Sequence, residues 1–462
     1  MTDTHIKDFT KGNITRQLIA FSWPLLLSNL LQVIYNMVDM IIVGNVMGKA
    51  GTSAVTVGGD VVNLLTFVGI GFASAGQVLI ARYIGAGERH KLGRFVGTMS
   101  SFLFLCAVVI SVLGLCFQEP LLRLMNTPTE AYEGAFAYSA ICMIGLVFIY
   151  GYNIVSAILR GMGDSKHPLL FIGIAAGMNL VLDVVFVIFL GMGAGGAALA
   201  TVISQATSFL LCTAFLVQRR VQFSLSVARR DFIRWDGGML LDFIKLGAPM
   251  AIKFASVMVS KLFVNSWING YGVAVSAFAG IANKLATVVN MFSNAMNSAG
   301  STMVGQNIVA GQFARVRKIM WNLLAITMAI TVIFSVLMIL FPTEIFDLFI
   351  EGSDPEVLAL APGYVPIALL MFLASSLRAT MNALINGSGN AKINFATALL
   401  DGIILRIGLA LLFGLALGMK HTGFWLGDAL AGFTPFWLGI IFYITGAWKK
   451  SAKIQPAEEK NA

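Results

Sequence analysis

Two aspartates stand inside long apolar runs, where a charged side chain needs a chemical reason. Asp39 lies in YNMVDMIIVG and Asp183 in NLVLDVVF, and the apolar runs around them contain no deeply placed Lys or Arg. A charge at the centre of a bilayer costs at least ~2.5 kcal/mol. A buried carboxylate without a basic partner must hold a proton or bind a cation. The two positions are therefore candidates for a cation site.

Three further polar residues can complete such a site. Asn179 and Asp183 are four residues apart and so share one face of a helix. Thr201 offers a hydroxyl and Asn153 an amide. Because hard cations take oxygen ligands, the set predicts a Na⁺ site at Asp39, Asn179 and Asp183. The alternative interpretation is a proton-sharing polar network that only holds helices together.

The choice between H⁺ and Na⁺ rests on opposing arguments. Two neighbouring carboxylates in a medium of low dielectric constant cannot both stay ionised without a cation, which favours H⁺. A ring of neutral oxygen atoms favours Na⁺. We expect the two ions to compete for one site, with a slight preference for H⁺. No organic cofactor is expected.

The composition identifies the elements that position these residues. Of the 462 residues, 58% are hydrophobic and 11% charged, whereas soluble domains carry roughly 25% charged residues. The chain is therefore predicted to be an all-α polytopic membrane protein. Twelve apolar stretches are long enough to span a bilayer, at 16–43, 53–82, 95–118, 134–159, 168–190, 195–217, 240–266, 273–304, 319–341, 362–388, 393–417 and 423–447.

The two halves of the chain repeat the same landmarks at an offset of about 225 residues. FSWP aligns with LGAP, SAGQVLIARYIGAGERHKLGR aligns with SAGSTMVGQNIVAGQFARVRK, and LRGMGDSK aligns with INGSGNAK. This repetition predicts two pseudo-symmetric six-helix lobes, an architecture typical of transporters that use alternating access. The predicted domains are an N-lobe, a cytoplasmic linker, a C-lobe and a cytoplasmic tail, at 1–217, 218–238, 239–448 and 449–462.

The basic residues predict the orientation in the membrane. On the side of both termini lie 23 Lys and Arg, against only Lys49, Arg123 and Lys420 on the other side. Basic loops stay in the cytoplasm, so both termini are predicted to be cytoplasmic in a multi-pass protein of the cell membrane. Because topology explains the net charge of +9, no nucleic-acid partner is expected.

An ordered set of motifs resembles the multidrug and toxic compound extrusion (MATE) family. It comprises FSWPLLLSNLLQVIYNMVDMIIVGNVMG, QVLIARYIGAGE with its echo STMVGQNIVAGQ, and LRGMGDSKHP. The resemblance implies a two-lobe exporter that exchanges Na⁺ or H⁺ for organic, often cationic, compounds. The branch similar to the DNA-damage-inducible F proteins carries an N-lobe cation site, whose positions match Asp39, Asn153, Asn179, Asp183 and Thr201. Another branch carries C-lobe carboxylates on helices seven and ten, which this sequence lacks.

Other intramembrane charges have open roles. Lys253 and Lys261 lie eight residues apart, on roughly one face of the seventh predicted helix. If that face lines the cleft, they would favour anionic or zwitterionic substrates. Asp401 and Arg406 are expected to form an ion pair, and Asp428 is a candidate partner for a lysine of the seventh helix. Asp60 and Lys284 are equivalent under the repeat and form either a gate pair or two hydrated helix ends. The candidate substrate-cavity residues are Met37, Met40, Asp60, Phe67, Lys253, Lys261 and Lys284.

The function predicted from these features is secondary active export of multiple drugs. Small organic molecules and membrane lipids are the expected partners, and a monomer is expected. A lipid-linked oligosaccharide flippase of the same superfamily is one alternative, although twelve spans and the two aspartates argue against it. An integral membrane enzyme is another, but the sequence has no HExxH, GxSxG or P-loop motif, so no enzyme is predicted.

Overall fold

The computed structural model describes residues 6–125, 127–349 and 354–452, and within these ranges it is helical without strands. The α-helices are α1 Ile14–Gly85, α2 Leu92–Cys116, α3 Gln118–Leu124, α4 Thr129–Ile144, α5 Leu146–Gly161, α6 Lys166–Asp183, α7 Gly193–Gln218, α8 Arg229–Ile233, α9 Gly237–Asn269, α10 Val273–Val309, α11 Phe313–Leu340, α12 Pro342–Asp347, α13 Pro355–Leu358, α14 Ala361–Ser388, α15 Ala391–Leu399, α16 Leu405–Leu411, α17 Lys420–Ala431 and α18 Thr434–Ile444. Of the predicted tail at 449–462, only residues up to 452 are described.

Three membrane spans are not continuous α-helices. Two of them contain π-helical segments, and the third consists of two short helices. A π-helix at Val184–Phe189 continues α6, and two more at Leu400–Ile404 and Leu412–Ala416 flank α16. The α17 and α18 helices together form one apolar stretch, Lys420–Ile444. Single π-turns widen a helix locally and are frequent at functional sites.

The helices confirm the twelve predicted spans. Ten described helical stretches are long and apolar enough to cross a membrane, and the bent pair α4 and α5, which meet at 51°, forms an eleventh. The twelfth lies in α1, whose 72 residues would be ~108 Å long if straight, more than three times the bilayer core. At Gly48 the φ of 66° and ψ of −152° break α1, which divides it into two spans as predicted.

The described residues form two compact units. The first contains residues 6–8 and 23–251, and the second contains 9–22 and 252–452. The unit boundary thus lies inside α9, and the start of α1 belongs to the second unit. The lobe boundaries predicted at 217 and 239 stay a prediction.

Each unit has its own aromatic core. In the first, the rings of Phe72 and Phe243 lie 5.4 Å apart. In the second, Phe278 stacks on Phe346 at 4.3 Å and lies 5.3 Å from Trp425. These large side chains fill the space between neighbouring helices of each unit.

Candidate functional site

Four of the five predicted cation-site residues meet in the first unit. Asp39 lies on α1, Asn179 and Asp183 on α6, and Thr201 on α7. The Thr201 hydroxyl donates to Asp39 Oδ2 at 3.1 Å, and Asn179 Nδ2 donates weakly to Thr201 Oγ1 at 3.5 Å. The carboxyl groups of Asp39 and Asp183 lie within hydrogen-bonding reach of each other. We call these four residues the oxygen cluster.

The oxygen cluster is closed to solvent and rich in acceptors that lack donors. Asp39, Asn179 and Asp183 expose only 1%, 2% and 0% of their surface. Asp39 Oδ1, Asn179 Oδ1 and both carboxyl oxygens of Asp183 find no hydrogen-bond donor among the described residues. Four buried acceptors without donors are costly. A bound cation would satisfy these oxygens together, whereas a proton shared by the two carboxyls would satisfy only the oxygens that it joins.

The ligand atoms of the oxygen cluster suit a hard monovalent cation. Two carboxylates, an amide carbonyl and a hydroxyl supply only oxygen, which hard cations prefer over nitrogen and sulfur. In the described part of the chain, no three His, Cys, Asp or Glu side chains come together, so a Na⁺ ion here would depend on the neutral oxygens of Asn179 and Thr201. The same oxygens can also hold a proton, because the two carboxyls can share one.

The backbone at Asp183 is unusual. Asp183 is the last residue of α6, and the π-helix Val184–Phe189 begins directly after it. A π-turn shifts the hydrogen-bond ladder from four to five residues and so rotates the side chains on either side of it. The side chain of Asp183 therefore lies at the junction of the α-helix and the wider π-helix. The sequence does not reveal this junction.

Asn153 is not part of the hydrogen-bonded cluster. Its Nδ2 donates to the carbonyl of Ile149, one turn earlier on α5, at 2.9 Å. The described contacts join it to none of the four other residues. Its predicted role in cation binding stays a prediction.

Two polar neighbours of the cluster were not predicted from the sequence. Gln205 Nε2 donates to the hydroxyl of Tyr35 at 3.2 Å, and Tyr35 interacts electrostatically with Asp39. Tyr35 precedes Asp39 by one helical turn, and Gln205 follows Thr201 by one turn. The spacing of four residues already noted for α6 therefore recurs on α1 and α7, and it is the signal that could have found both residues.

The charges of the second unit pair differently from the sequence hypothesis. Arg406 Nη2 lies 2.8 Å from Asp401 Oδ1, which confirms the predicted ion pair. Arg406 Nη1 pairs with Asp428 as well. The direct ion-pair partner of Asp428 is thus Arg406, whose forked guanidinium serves both carboxylates, while Lys261 of α9 interacts with Asp428 electrostatically without an ion pair.

The candidate cavity residues have varied surroundings. Met37 is 50% exposed, and Met40, Asp60 and Phe67 are half-buried along α1. Lys253 donates to Asn382 Oδ1 at 2.8 Å. Lys261 lines a cavity of about 30 Å³ together with Asp428, and Lys284 is exposed on α10. Asp60 and Lys284 belong to different units, and their predicted role as a gate pair stays a prediction.

Comparison with known proteins gives consistent matches. The family model MatE matches residues 24–185 and again 249–417, the second match starting 225 residues after the first. The probable multidrug resistance protein YpnP of Bacillus subtilis is 28% identical, over 96% of this chain and 97% of that protein. Human multidrug and toxin extrusion protein 1 is 26% identical, over 95% of this chain and 76% of that protein.

Solved structures share the fold. An outward-facing multidrug resistance MATE transporter of the MOP superfamily superposes with a TM-score of 0.87 at 21% identity, covering 96% of this chain and 98% of that one. A MOP superfamily transporter from Pyrococcus furiosus superposes with a TM-score of 0.85, also at 21% identity, covering 96% and 97%. At this identity the likeness shows the fold alone.

The twelve spans and the repeated match define a membrane-embedded transporter of the multidrug efflux class rather than an enzyme. The chain belongs to the MatE family, whose model covers more than half of it in two repeats.

Proposed function

We propose that the protein exports amphipathic organic compounds in exchange for a cation, H⁺ or Na⁺, bound by the oxygen cluster. The observation that carries this proposal is the set of four buried acceptor oxygens without a donor. A static scaffold has no use for such a set, because apolar residues of the same shape would be less costly. The relatives named for multidrug resistance support an organic substrate.

The cluster can exchange one cation for another. With a proton between the carboxyls of Asp39 and Asp183, one carboxyl donates to the other and the pair carries a single negative charge. When Na⁺ binds, the proton leaves and both carboxylates face the metal, together with the oxygens of Asn179 and Thr201. Each ion is therefore excluded by the other, which is the competition expected from the sequence.

Coupling requires the cation to favour one access state. A ligand shifts a conformational equilibrium only by the difference between its affinities for the two states. The cluster draws its oxygens from α1, α6 and α7, so any repacking of these three helices changes the distances among them. In this proposal the protein works by alternating access as a monomer without a cofactor, in the cell membrane, with both termini cytoplasmic.

The test is dye efflux from proteoliposomes under an imposed Na⁺ gradient and, separately, an imposed pH gradient. Wild type is expected to transport under at least one gradient, and Asp39→Asn and Asp183→Asn to lose at least 90% of that rate. Glu119→Gln is the matched control, because it also removes one carboxylate charge but from an exposed pair with Arg123. Transport that survives both aspartate substitutions would overturn the coupling site.

A binding measurement identifies the ion without any transport. Na⁺ added to the purified protein in detergent should raise the apparent unfolding temperature, whereas equal K⁺ should not, and lower pH should weaken the effect. Thr201→Val should weaken the Na⁺ effect, while Thr201→Ser, which keeps the hydroxyl, should largely retain it. Stabilisation by low pH alone, with no response to Na⁺, would assign the site to H⁺.

A further inference from the structure

The second unit contains a group of charged side chains that the proposed coupling mechanism does not use. Lys253 and Lys261 lie on α9, Arg378 on α14, Arg406 on α16, Asp401 on a π-helix and Asp428 on α17. Lys253, Lys261 and Arg378 each interact electrostatically with Asp401 and Arg406, and Lys261 and Arg378 also interact with Asp428. We call them the basic cluster, because four cations face two carboxylates.

Arg406 forms ion pairs with both carboxylates of the basic cluster. Its Nη2 donates to Asp401 Oδ1 at 2.8 Å and its Nη1 donates to Asp428. Its Nε donates to the backbone carbonyl of Asp401 at 3.3 Å. All three nitrogen atoms of this guanidinium are thus engaged, and the trio of Arg406, Asp401 and Asp428 carries one net negative charge.

The three remaining cations have no carboxylate partner of their own in the part of the chain that the structure describes. Lys253 donates to the neutral amide oxygen of Asn382 at 2.8 Å. Arg378 Nη2 donates to the neutral amide oxygen of Asn290 at 2.5 Å. Lys261 forms no described hydrogen bond. If all six groups are ionised, the basic cluster carries a net charge of +2.

Close packing keeps these cations in place. The hydroxyl of Ser260 on α9 donates to the carbonyl of Gly402 in the neighbouring π-helix. A Cβ at Gly402 would lie 2.5 Å from Cβ of Ser256, so only glycine allows this approach. The α9 backbone is therefore held against the element that carries Asp401.

An uncompensated positive charge in a membrane segment calls for an anionic partner. Lys253 and Arg378 are half-buried. The planar guanidinium of Arg378 matches a carboxylate or a phosphate bidentately, and Lys253 supplies a second point charge. Lys261 adds a positive potential from beside its small cavity.

We propose that Lys253 and Arg378 bind the anionic group of the transported compound, a carboxylate or a phosphate, with Lys261 contributing at longer range. This inference rests on the proposed export function and names its substrate class: amphipathic compounds that carry an anionic group, zwitterions included. It differs from the cationic substrates that the family resemblance implies. A lipid headgroup and a free compound offer the same anionic chemistry and are distinguished by experiment.

The test compares rhodamine B with its ethyl ester, which differ only in the free carboxylate. Binding to the purified full-length protein in dodecyl maltoside is followed by fluorescence anisotropy at pH 7.5 without any ion gradient. We expect wild type to bind the free acid at least tenfold more tightly than the ester. Lys253→Gln and Arg378→Gln should reduce this ratio to about one. Equal wild-type affinities for acid and ester would overturn the proposal.

Two further variants separate recognition from misfolding. Lys245→Gln is the matched control, because Lys245 lies on the same helix eight residues before Lys253 but is exposed, and it should keep the full ratio. Arg378→Lys keeps the charge and should keep part of the ratio. A ratio that falls equally in Lys245→Gln would contradict a specific site.

The lipid arm identifies the source of the anion. Phosphatidylglycerol that displaces rhodamine B, where phosphatidylcholine does not, would support the anion site with a lipid phosphate as its ligand. Lack of displacement by either lipid would support a free organic anion. Because these measurements use no gradient, they are independent of the transport assay. If transport in proteoliposomes survives both aspartate substitutions while wild type keeps its selectivity for the free acid, the coupling proposal is refuted and the anion site stands.

Discussion

Removing the side chain of Arg406 should strongly lower the free energy of unfolding of the second unit. It is 2% exposed and pairs with Asp401, which is 1% exposed, and with Asp428, which is 23% exposed. In Arg406→Met the side-chain volume is nearly kept, whereas both carboxylates lose their cation. One oxygen of Asp401 already lacks a hydrogen-bond donor, so this carboxylate has no second partner to replace the guanidinium.

The expected cost follows from the burial of the trio. Breaking a buried ion pair by removing one partner costs about 3–5 kcal/mol. Because water reaches Asp428 in part, the lower part of that range applies, about 3–4 kcal/mol. At 1.36 kcal/mol per factor of ten, the folding equilibrium should fall roughly 150- to 900-fold.

The assay is equilibrium unfolding in mixed detergent micelles, followed by tryptophan fluorescence. Five of the seven tryptophans lie in the second unit, so the signal reports mainly on that unit. In an Asp401→Asn, Asp428→Asn background, Arg406→Met should cost less than half as much, because no carboxylate is left unpaired. An equal loss in both backgrounds, or none in the wild-type background, would refute the electrostatic reasoning.

Two other predictions concern packing away from the charge clusters. The Tyr150 hydroxyl accepts from the Gly69 N–H at 3.1 Å and donates to the Leu65 carbonyl at 2.8 Å. Tyr150→Phe should therefore lower the free energy of unfolding by about 1 kcal/mol, measured by thermal unfolding with a thiol-reactive dye. An unchanged midpoint would show that the two backbone groups simply pair with each other. Arg315 donates to three backbone carbonyls of residues 9–12, including that of Phe9 at 2.9 Å, and so anchors this segment. Arg315→Lys should speed amide hydrogen exchange in the segment at least tenfold, and unchanged exchange would count against the anchoring role.

The sequence alone determined the spans and the family. A helix needs about 20 apolar residues to cross the bilayer, and this local property can be read from composition without knowing any partner. The half-chain repeat was equally visible, because it is a property of the order of residues. The break at Gly48 was expected as a loop between two spans, whereas the 51° bend between α4 and α5 falls inside the predicted span 134–159 and was not foreseen.

The candidate site was only partly predictable. The pairing of Asn179 with Asp183 follows from helical periodicity alone, since residues four apart share a face. The meeting of Asp39 with Thr201, 162 residues later, depends on how α1 and α7 are rotated against each other. The hydrogen bond of Asn153 to its own helix and the π-turn after Asp183 were likewise not predictable from the spacing of residues.

The basic cluster shows most clearly what only the tertiary structure decided. The sequence identified its charged residues and the pairing of Asp401 with Arg406. It offered a lysine as one candidate partner for Asp428 and left the role of this residue open, whereas Arg406 holds both carboxylates in the structure. Charge type and depth in the membrane are local properties of the chain, but the choice of a partner depends on distances of a few ångströms between helices, and these are set by side-chain packing across the whole unit.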